Sequence, residues 1–202
     1  SADAVAMSTG KAVYGIDATM PDMVFAAVAR PPVLGSKLAK YDATAARTMP
    51  GVIDVVELPA PASPPGFQPR GGVAVIARNS WAAMKARDAL VVEWTDSPNA
   101  TYDSAAYRAQ SLETARKPAT LLRNEGDVDA AFRRAQKHLV AEYTTPHLAH
   151  ATMEPPAAVV RCDATICEAI ACVQSPSTTR DTLAMMLGLD KSKVIVRQTL
   201  LG

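Results

Sequence analysis

Residues 59–72 carry five prolines and three glycines, and no other stretch of the chain limits the fold as strongly. Proline fixes φ and has no backbone N–H to donate, so neither a helix nor an inner strand can run through such a segment. A surface loop is expected there. On either side lie two β-branched runs, 52–57 and 73–77, which read as strands. The chain must therefore build its first layer from short strands joined by irregular connections.

The remaining pattern agrees with that. An apolar run at 23–30 is closed by Pro31-Pro32 and reads as a strand. Asp42 is placed to cap a short helix reaching Met49, with Pro50-Gly51 as its stop. Ser80 is expected to cap a helix carrying Trp81, Met84 and Arg87, and 90–94 follows as a strand. Asp96-Ser97-Pro98-Asn99 marks a turn and a boundary. Residues 104–115 read as a surface helix. Gly126-Asp127 then opens the strongest helical pattern, with Val128, Ala131, Phe132 and Ala135 at i, i+3, i+4 and i+7. Residues 139–143 read as a strand, and 156–173 as a hairpin turning at Asp163-Ala164. A helix starting at Ser177 or Thr178 is expected to turn Leu183, Met186 and Leu187 to the core before Gly188 ends it. The last strand is 194–199. Short strands and uneven loops favour α+β over a doubly wound parallel sheet.

Composition narrows the function. Lys and Arg total 21 against 20 Asp and Glu, a net charge of +1, which leaves no electrostatic footprint for nucleic acid. No apolar run approaches the roughly 18 residues that span a bilayer. The three cysteines, Cys162, Cys167 and Cys172, fit neither a disulfide framework nor paired zinc ligands, and read as small buried hydrophobes. Of the three histidines, His147 and His150 form an HxxH followed by Glu154. They would share a helix face only if the segment were helical, and Pro146, Pro155 and Pro156 bracket it. An ordered loop is expected rather than a metal site. Dinucleotide, P-loop, zinc-protease and nucleophile-elbow motifs are all absent. Ser175 and Asp181 lack a histidine placed to complete a triad. The residues alone thus show no catalytic group and no metal ligand.

Three stretches change the outlook. Residues 10–17 read GKAVYGID, and with 23–31 and 42–56 they resemble the opening of the α/β-hammerhead domain in the large subunits of molybdenum hydroxylases. These subunits form the xanthine dehydrogenase and aldehyde oxidase family. Residues 146–156, with HATMEPP at their core, resemble the entry to the first molybdopterin-binding domain. Val173-Gln174-Ser175-Pro176, the following helix, Leu187-Gly188-Leu189 and 194–202 are similar to the glutamine, helix and strand that lead to the family's glycine-rich motif. The resemblance runs from about residue 8 to 202. Its wording, with WAAMKARDALVVEW at 81–94, is nearest to the isoquinoline 1-oxidoreductase β-subunit branch.

The resemblance implies a fold, a cofactor and partners. It divides the chain into a hammerhead domain at 8–100, a helical connecting segment at 101–134, and the start of a molybdopterin-binding domain at 135–202. Gln174 aligns with a glutamine that hydrogen-bonds an oxo ligand of molybdenum, and Gly202 with the first glycine of the cofactor motif. His150 and Glu154 align with positions expected to shape the pocket wall. The parent protein would hold molybdopterin, hydroxylate an aldehyde or N-heterocycle with water as oxygen source, and pass electrons to a small iron–sulfur subunit. A twin-arginine leader, frequent in this branch, would make the parent periplasmic. Both ends of the chain are expected to be cuts. The segment alone is expected to hold no cofactor and to be inactive, and its last strand to offer an apolar edge for self-association. The competing expectation is a non-catalytic scaffold or interaction module.

Overall fold

The computed structural model describes residues 3–62 and 68–202. Residues 63–67 of the expected proline-rich loop lie outside the described residues. The flanks 59–62 and 68–71 form neither helix nor strand.

After a one-turn helix α1 (Ala4–Ser8) and a 3-10 turn at Gly15–Asp17, the first half builds two small antiparallel sheets. Strand β4 (Gly72–Ala77) lies between β1 (Phe25–Ala29) and β3 (Val52–Leu58). Strand β2 (Leu38–Asp42) pairs with β5 (Val91–Trp94). Helix α2 (Thr44–Arg47) follows β2; Asp42 Oδ1 accepts from the Thr44 N–H at 2.8 Å, but Asp42 ends β2, Ala43 holds the N-cap position, and the helix stops at Arg47 short of the expected Met49. Arg47 then reaches from α2 to β3, donating to Asp54 Oδ1 at 2.8 Å and to the Val55 carbonyl at 2.7 Å.

Helix α3 (Ser80–Asp88) covers this layer. Its cap is Asn79 rather than Ser80, with Asn79 Oδ1 accepting from the Ala82 N–H at 2.8 Å. The face turned to the sheet is Ala82, Ala83 and Ala86, while Trp81 and Met84 are exposed. Alanine lets the helix backbone settle close onto Val73, Val75 and Ala77 of β4, where an indole has no room. Trp81 faces solvent, with the Lys85 ammonium 4.6 Å from its ring centre.

Helices α4 (Ser104–Ala115) and α5 (Val128–Arg134) are capped by Asp103 and Asp127, each accepting from an N–H three residues on at 2.8 Å. The apolar stripe of α5 does not find a core: Val128 and Phe132 are exposed. Two turns of helix with no packed neighbour cannot bury a face, however regular its spacing. The strand expected at 139–143 is not formed, and 135–157 holds no helix or strand. Periodicity alone supplies no ladder partner. Glu142 instead accepts from Arg116 at 2.6 Å, which lays this stretch beside α4.

The third sheet is β6 (Ala158–Cys162), β7 (Cys167–Ala171) and β8 (Val194–Gln198), in the order β6-β7-β8. The β6–β7 hairpin turns where expected. Asp163 Oδ1 gathers the Thr165 N–H and hydroxyl, both at 2.7 Å, and the Ile166 N–H at 3.0 Å. That turn sets Cys162 directly opposite Cys167, and the two are disulfide-bonded. Read along a single strand, their spacing points them to opposite faces; across a hairpin it makes them neighbours. Cys172 is free.

Helix α6 (Pro176–Leu187) carries the chain back so that β8 runs parallel to β7. Gly188 ends it in the left-handed region. Ala184 and Leu183 face Cys167 and Val194. Met186 and Leu187, expected in the core, are turned to solvent with Met185. The small Ala184 admits the helix close to the strands, and that contact sets its rotation.

A candidate cofactor-binding edge

Strand β7, helix α6 and strand β8 form one strand–helix–strand unit with parallel strands. In such units ligands collect outside the carboxyl ends of the strands, where backbone groups leave the ladder. Gln174 lies just past the end of β7 and Gly202 just past the end of β8, so the sheet brings both expected cofactor residues to one edge. Strand β6 begins at the same edge, because its Ala158 pairs with Ala171.

The side chain of Gln174 is exposed and makes no hydrogen bond among the described residues. The backbone before it is held: Gln198 Nε2 donates to the Val173 carbonyl at 2.7 Å. Beside Gln174, α6 starts with Ser175 in the capping position but without a side-chain cap, and Pro176 has no N–H to offer. The next amides of that first turn are therefore open to an acceptor.

Glu154 is buried, with only 8% of its surface exposed. Its carboxylate is shared between two distant strands of chain. Oε1 accepts from the Ile16 N–H at 2.7 Å and Oε2 from the Gly202 N–H at 2.7 Å. The Glu154 N–H returns a bond to the Gly202 carbonyl at 3.3 Å. A buried carboxylate is costly unless its oxygens are satisfied, and a hydrogen bond to a charged group contributes about 1.5–3 kcal/mol. Both backbone groups of Gly202 are thus engaged by Glu154.

The surroundings of Glu154 are as tight as its bonds. The Thr152 hydroxyl donates to the Glu154 carbonyl at 2.9 Å. Pro155 restricts Glu154 to extended backbone. Gly15 passes so close that an added Cβ would sit 3.2 Å from Glu154 Oε1 and 3.2 Å from the Ala157 carbonyl. Tyr14 bridges to Leu200 in parallel, which docks 14–17 against the end of β8. Thr199 Oγ1 is buried at this junction and has no partner among the described residues.

The histidines take no part in it. His150 is exposed and forms no hydrogen bond among the described residues. His147 Nδ1 lies 3.1 Å from the Tyr102 hydroxyl, and its ring lies 5.2 Å from that of Tyr107. His138 Nε2 meets the Phe132 carbonyl at 2.8 Å. With no helix over 146–156, the HxxH pair never shares a face. Among the described residues no three His, Cys, Asp or Glu side chains converge to hold a metal. A cleft of about 370 Å³ opens in the first half, against Leu34, Leu38, Leu58, Arg70 and Trp94, and shares no residue with the edge.

Sequence reasoning singled out Gln174, Gly202, His150 and Glu154 but missed Ile16, Gly15 and Thr199. Ile16 contributes only its N–H, which any residue but proline supplies, so nothing in its side chain could signal the role. The one usable hint was Gly15, a glycine inside a segment that must pass close to other backbone.

The fold and this edge define a mixed helix-and-sheet segment ending in a ligand-type strand–helix–strand unit. Residues 113–202 match the molybdopterin cofactor-binding domain family. Over 205 residues the chain is 33% identical to the membrane-bound aldehyde dehydrogenase [pyrroloquinoline-quinone] of Gluconacetobacter polyoxogenes, covering 99% of this chain and 26% of that one. It is 30% identical to the isoquinoline 1-oxidoreductase subunit beta of Brevundimonas diminuta, covering 96% and 25%. Among solved structures, the aldehyde oxidoreductase of Desulfovibrio gigas superposes with a TM-score of 0.67 at 18% identity, over 98% of this chain and 26% of that one. The molybdopterin cofactor-binding match on 113–202 and the similarity to the isoquinoline 1-oxidoreductase subunit beta agree with the sequence resemblance. The chain spans about a quarter of the length of those curated relatives.

Proposed function

We propose that this chain is part of a molybdopterin-dependent oxidoreductase that hydroxylates an aldehyde or an N-heterocycle with water as the oxygen source. The observation that carries the reading is the match of 113–202 to a molybdopterin cofactor-binding domain, the segment that contains the β7–α6–β8 edge. Residues 8–100 serve as the α/β-hammerhead domain and help to wall the substrate path, 101–134 connect, and 135–202 open the cofactor domain. The chain alone is inactive, and the parent works with a small iron–sulfur subunit. As an edge strand with Ile195 partly exposed, β8 is also where the isolated chain self-associates.

The residues at the edge fit an anionic, oxygen-rich group. The uncapped first turn of α6 favours negative charge, the Gln174 amide can donate, and Thr199 leaves a polar atom unsatisfied. When bound, molybdopterin supplies the redox and oxygen-transfer chemistry, and the protein supplies binding, orientation and electrostatics. Gln174 would orient a ligand oxygen through its NH₂, Glu154 would hold the Gly202 backbone, and His150 would lie along the pocket wall.

One relative's name carries pyrroloquinoline quinone rather than molybdopterin. Molybdopterin is preferred because the domain match falls on the residues that form the edge. The test is to express the complete reading frame with its neighbouring subunit. Molybdenum, pterin and quinone are then measured, and dye-linked oxidation of aldehydes and isoquinoline is assayed. Stoichiometric molybdenum with turnover supports the reading. A protein lacking molybdenum and pterin overturns it and leaves the scaffold alternative.

A further inference from the structure

The geometry points to Glu154 as a positioning residue that sets the cofactor edge by clasping two distant backbone amides, a role that rests on the cofactor reading above. Its carboxylate bonds Ile16, 138 positions away, and Gly202, 48 positions away. An apolar side chain of the same volume would fill this buried space at lower desolvation cost. What only a carboxylate provides is two acceptors held in one plane at a fixed spacing, with no donor to oppose the incoming N–H groups.

Each neighbour of Glu154 narrows its freedom further. Pro155 and Pro156 stiffen the chain behind it, the Thr152 hydroxyl ties down its carbonyl, and Gly15 leaves room for Oε1 where a side chain would crowd it. The reciprocal bond from the Glu154 N–H to the Gly202 carbonyl makes a two-point attachment, fixing direction as well as place. Because the Gly202 N–H is already given to Glu154, Gly202 acts at this edge through the position of its backbone. Glu154 thus decides where the chain past β8 stands relative to Gln174 past β7.

The test uses the protein from the complete reading frame, with its partner subunit. In Glu154→Gln the amide NH₂ must face one of the two N–H groups, so one bond is lost and the volume kept. Hydrogen exchange at Ile16 and Gly202 is expected to quicken at least tenfold in this variant, while β7 amides hold. Molybdenum per protein is expected to fall at least threefold. Asn79→Ala, which uncaps α3 far from the edge, serves as the control and should keep its molybdenum. Thr152→Val, which removes only the bond to the Glu154 carbonyl, should move both readouts the same way by less, and it carries the test if Glu154→Gln does not accumulate folded. Wild-type molybdenum content in the Glu154 and Thr152 variants, or unchanged exchange at Ile16 and Gly202, overturns the inference while leaving the cofactor reading intact. A wild-type protein without molybdenum overturns the cofactor reading itself and this role with it.

Discussion

The carbonyl oxygen of Ala29 occupies the space that a Cβ on Gly72 would need. Gly72 opens the central strand β4 at φ +141°, a conformation that side chains rarely adopt. Gly72→Ala should therefore part β4 from β1 at its first rung and destabilise the fold by about 2 kcal/mol or more. Urea unfolding would check this: the midpoint should drop while the slope stays constant.

The Asn79 cap offers a milder perturbation. Asn79→Ala leaves the Ala82 N–H without its acceptor and should cost about 1 kcal/mol. For a chain of this size that corresponds to a lowering of Tm by about 2–4 °C. Ser80→Ala, one position on, should change Tm by less, because Ser80 is the first helical residue and not the cap. An equal or larger loss in Ser80→Ala would contradict the cap assignment.

Acid should unfold the protein partly through its turns. The Thr165 hydroxyl and amide, with the Ile166 amide, hold the Asp163 carboxyl below its ordinary value of 3.8. The Arg47 guanidinium does the same to Asp54, and Lys191 with Arg180 to Asp181. A carboxyl that binds its proton less readily when folded than when unfolded gives stability that is fully present above 3.8 and is lost as pH falls below it. The urea midpoint should thus decline below about pH 4, and Asp163→Asn should make that decline shallower. An acid limb identical in the variant would remove the turn from the account.

The cysteines give a chemical count. With Cys162 bonded to Cys167 and Cys172 free, the denatured, unreduced protein should titrate one thiol per chain and the reduced protein three. Three thiols before reduction would mean that the hairpin pair is open.

Much of this was legible in the sequence, and the failures share a cause. Strands β3, β4, β5 and β8 announced themselves through β-branched runs, β1 through an apolar run closed by Pro31-Pro32, and the β6–β7 turn through Asp163, whereas β2 was not foreseen. Helix α6 was found, but its rotation was misjudged because Met186 and Leu187 are more apolar than Ala184, and closeness rather than hydropathy decided which side met the strands. Helix α5 had good spacing and no neighbour. The strand expected at 139–143 had β residues and no partner. At the edge, Gln174, Gly202 and Glu154 were visible as letters in a recognised order. The clasp of Glu154 on Ile16 and Gly202 was not, because it is made through backbone N–H groups, and a backbone amide leaves no trace in a sequence.

The small residues under α3 and α6 carry a consequence for how this protein can change. Among the described residues, twelve of seventeen buried apolar side chains are alanine, and the largest fully buried ones are Val73, Val75 and Cys167. An interior of this kind has little to lose by truncation and no slack for growth. Trimming a buried valine leaves a void scarcely larger than a methyl group or two, whereas one extra methylene at Ala46, Ala77 or Ala86 must push whole backbones apart. Tolerance should therefore be lopsided: sequence drift at these positions can run toward glycine or serine at modest cost, and hardly at all toward leucine.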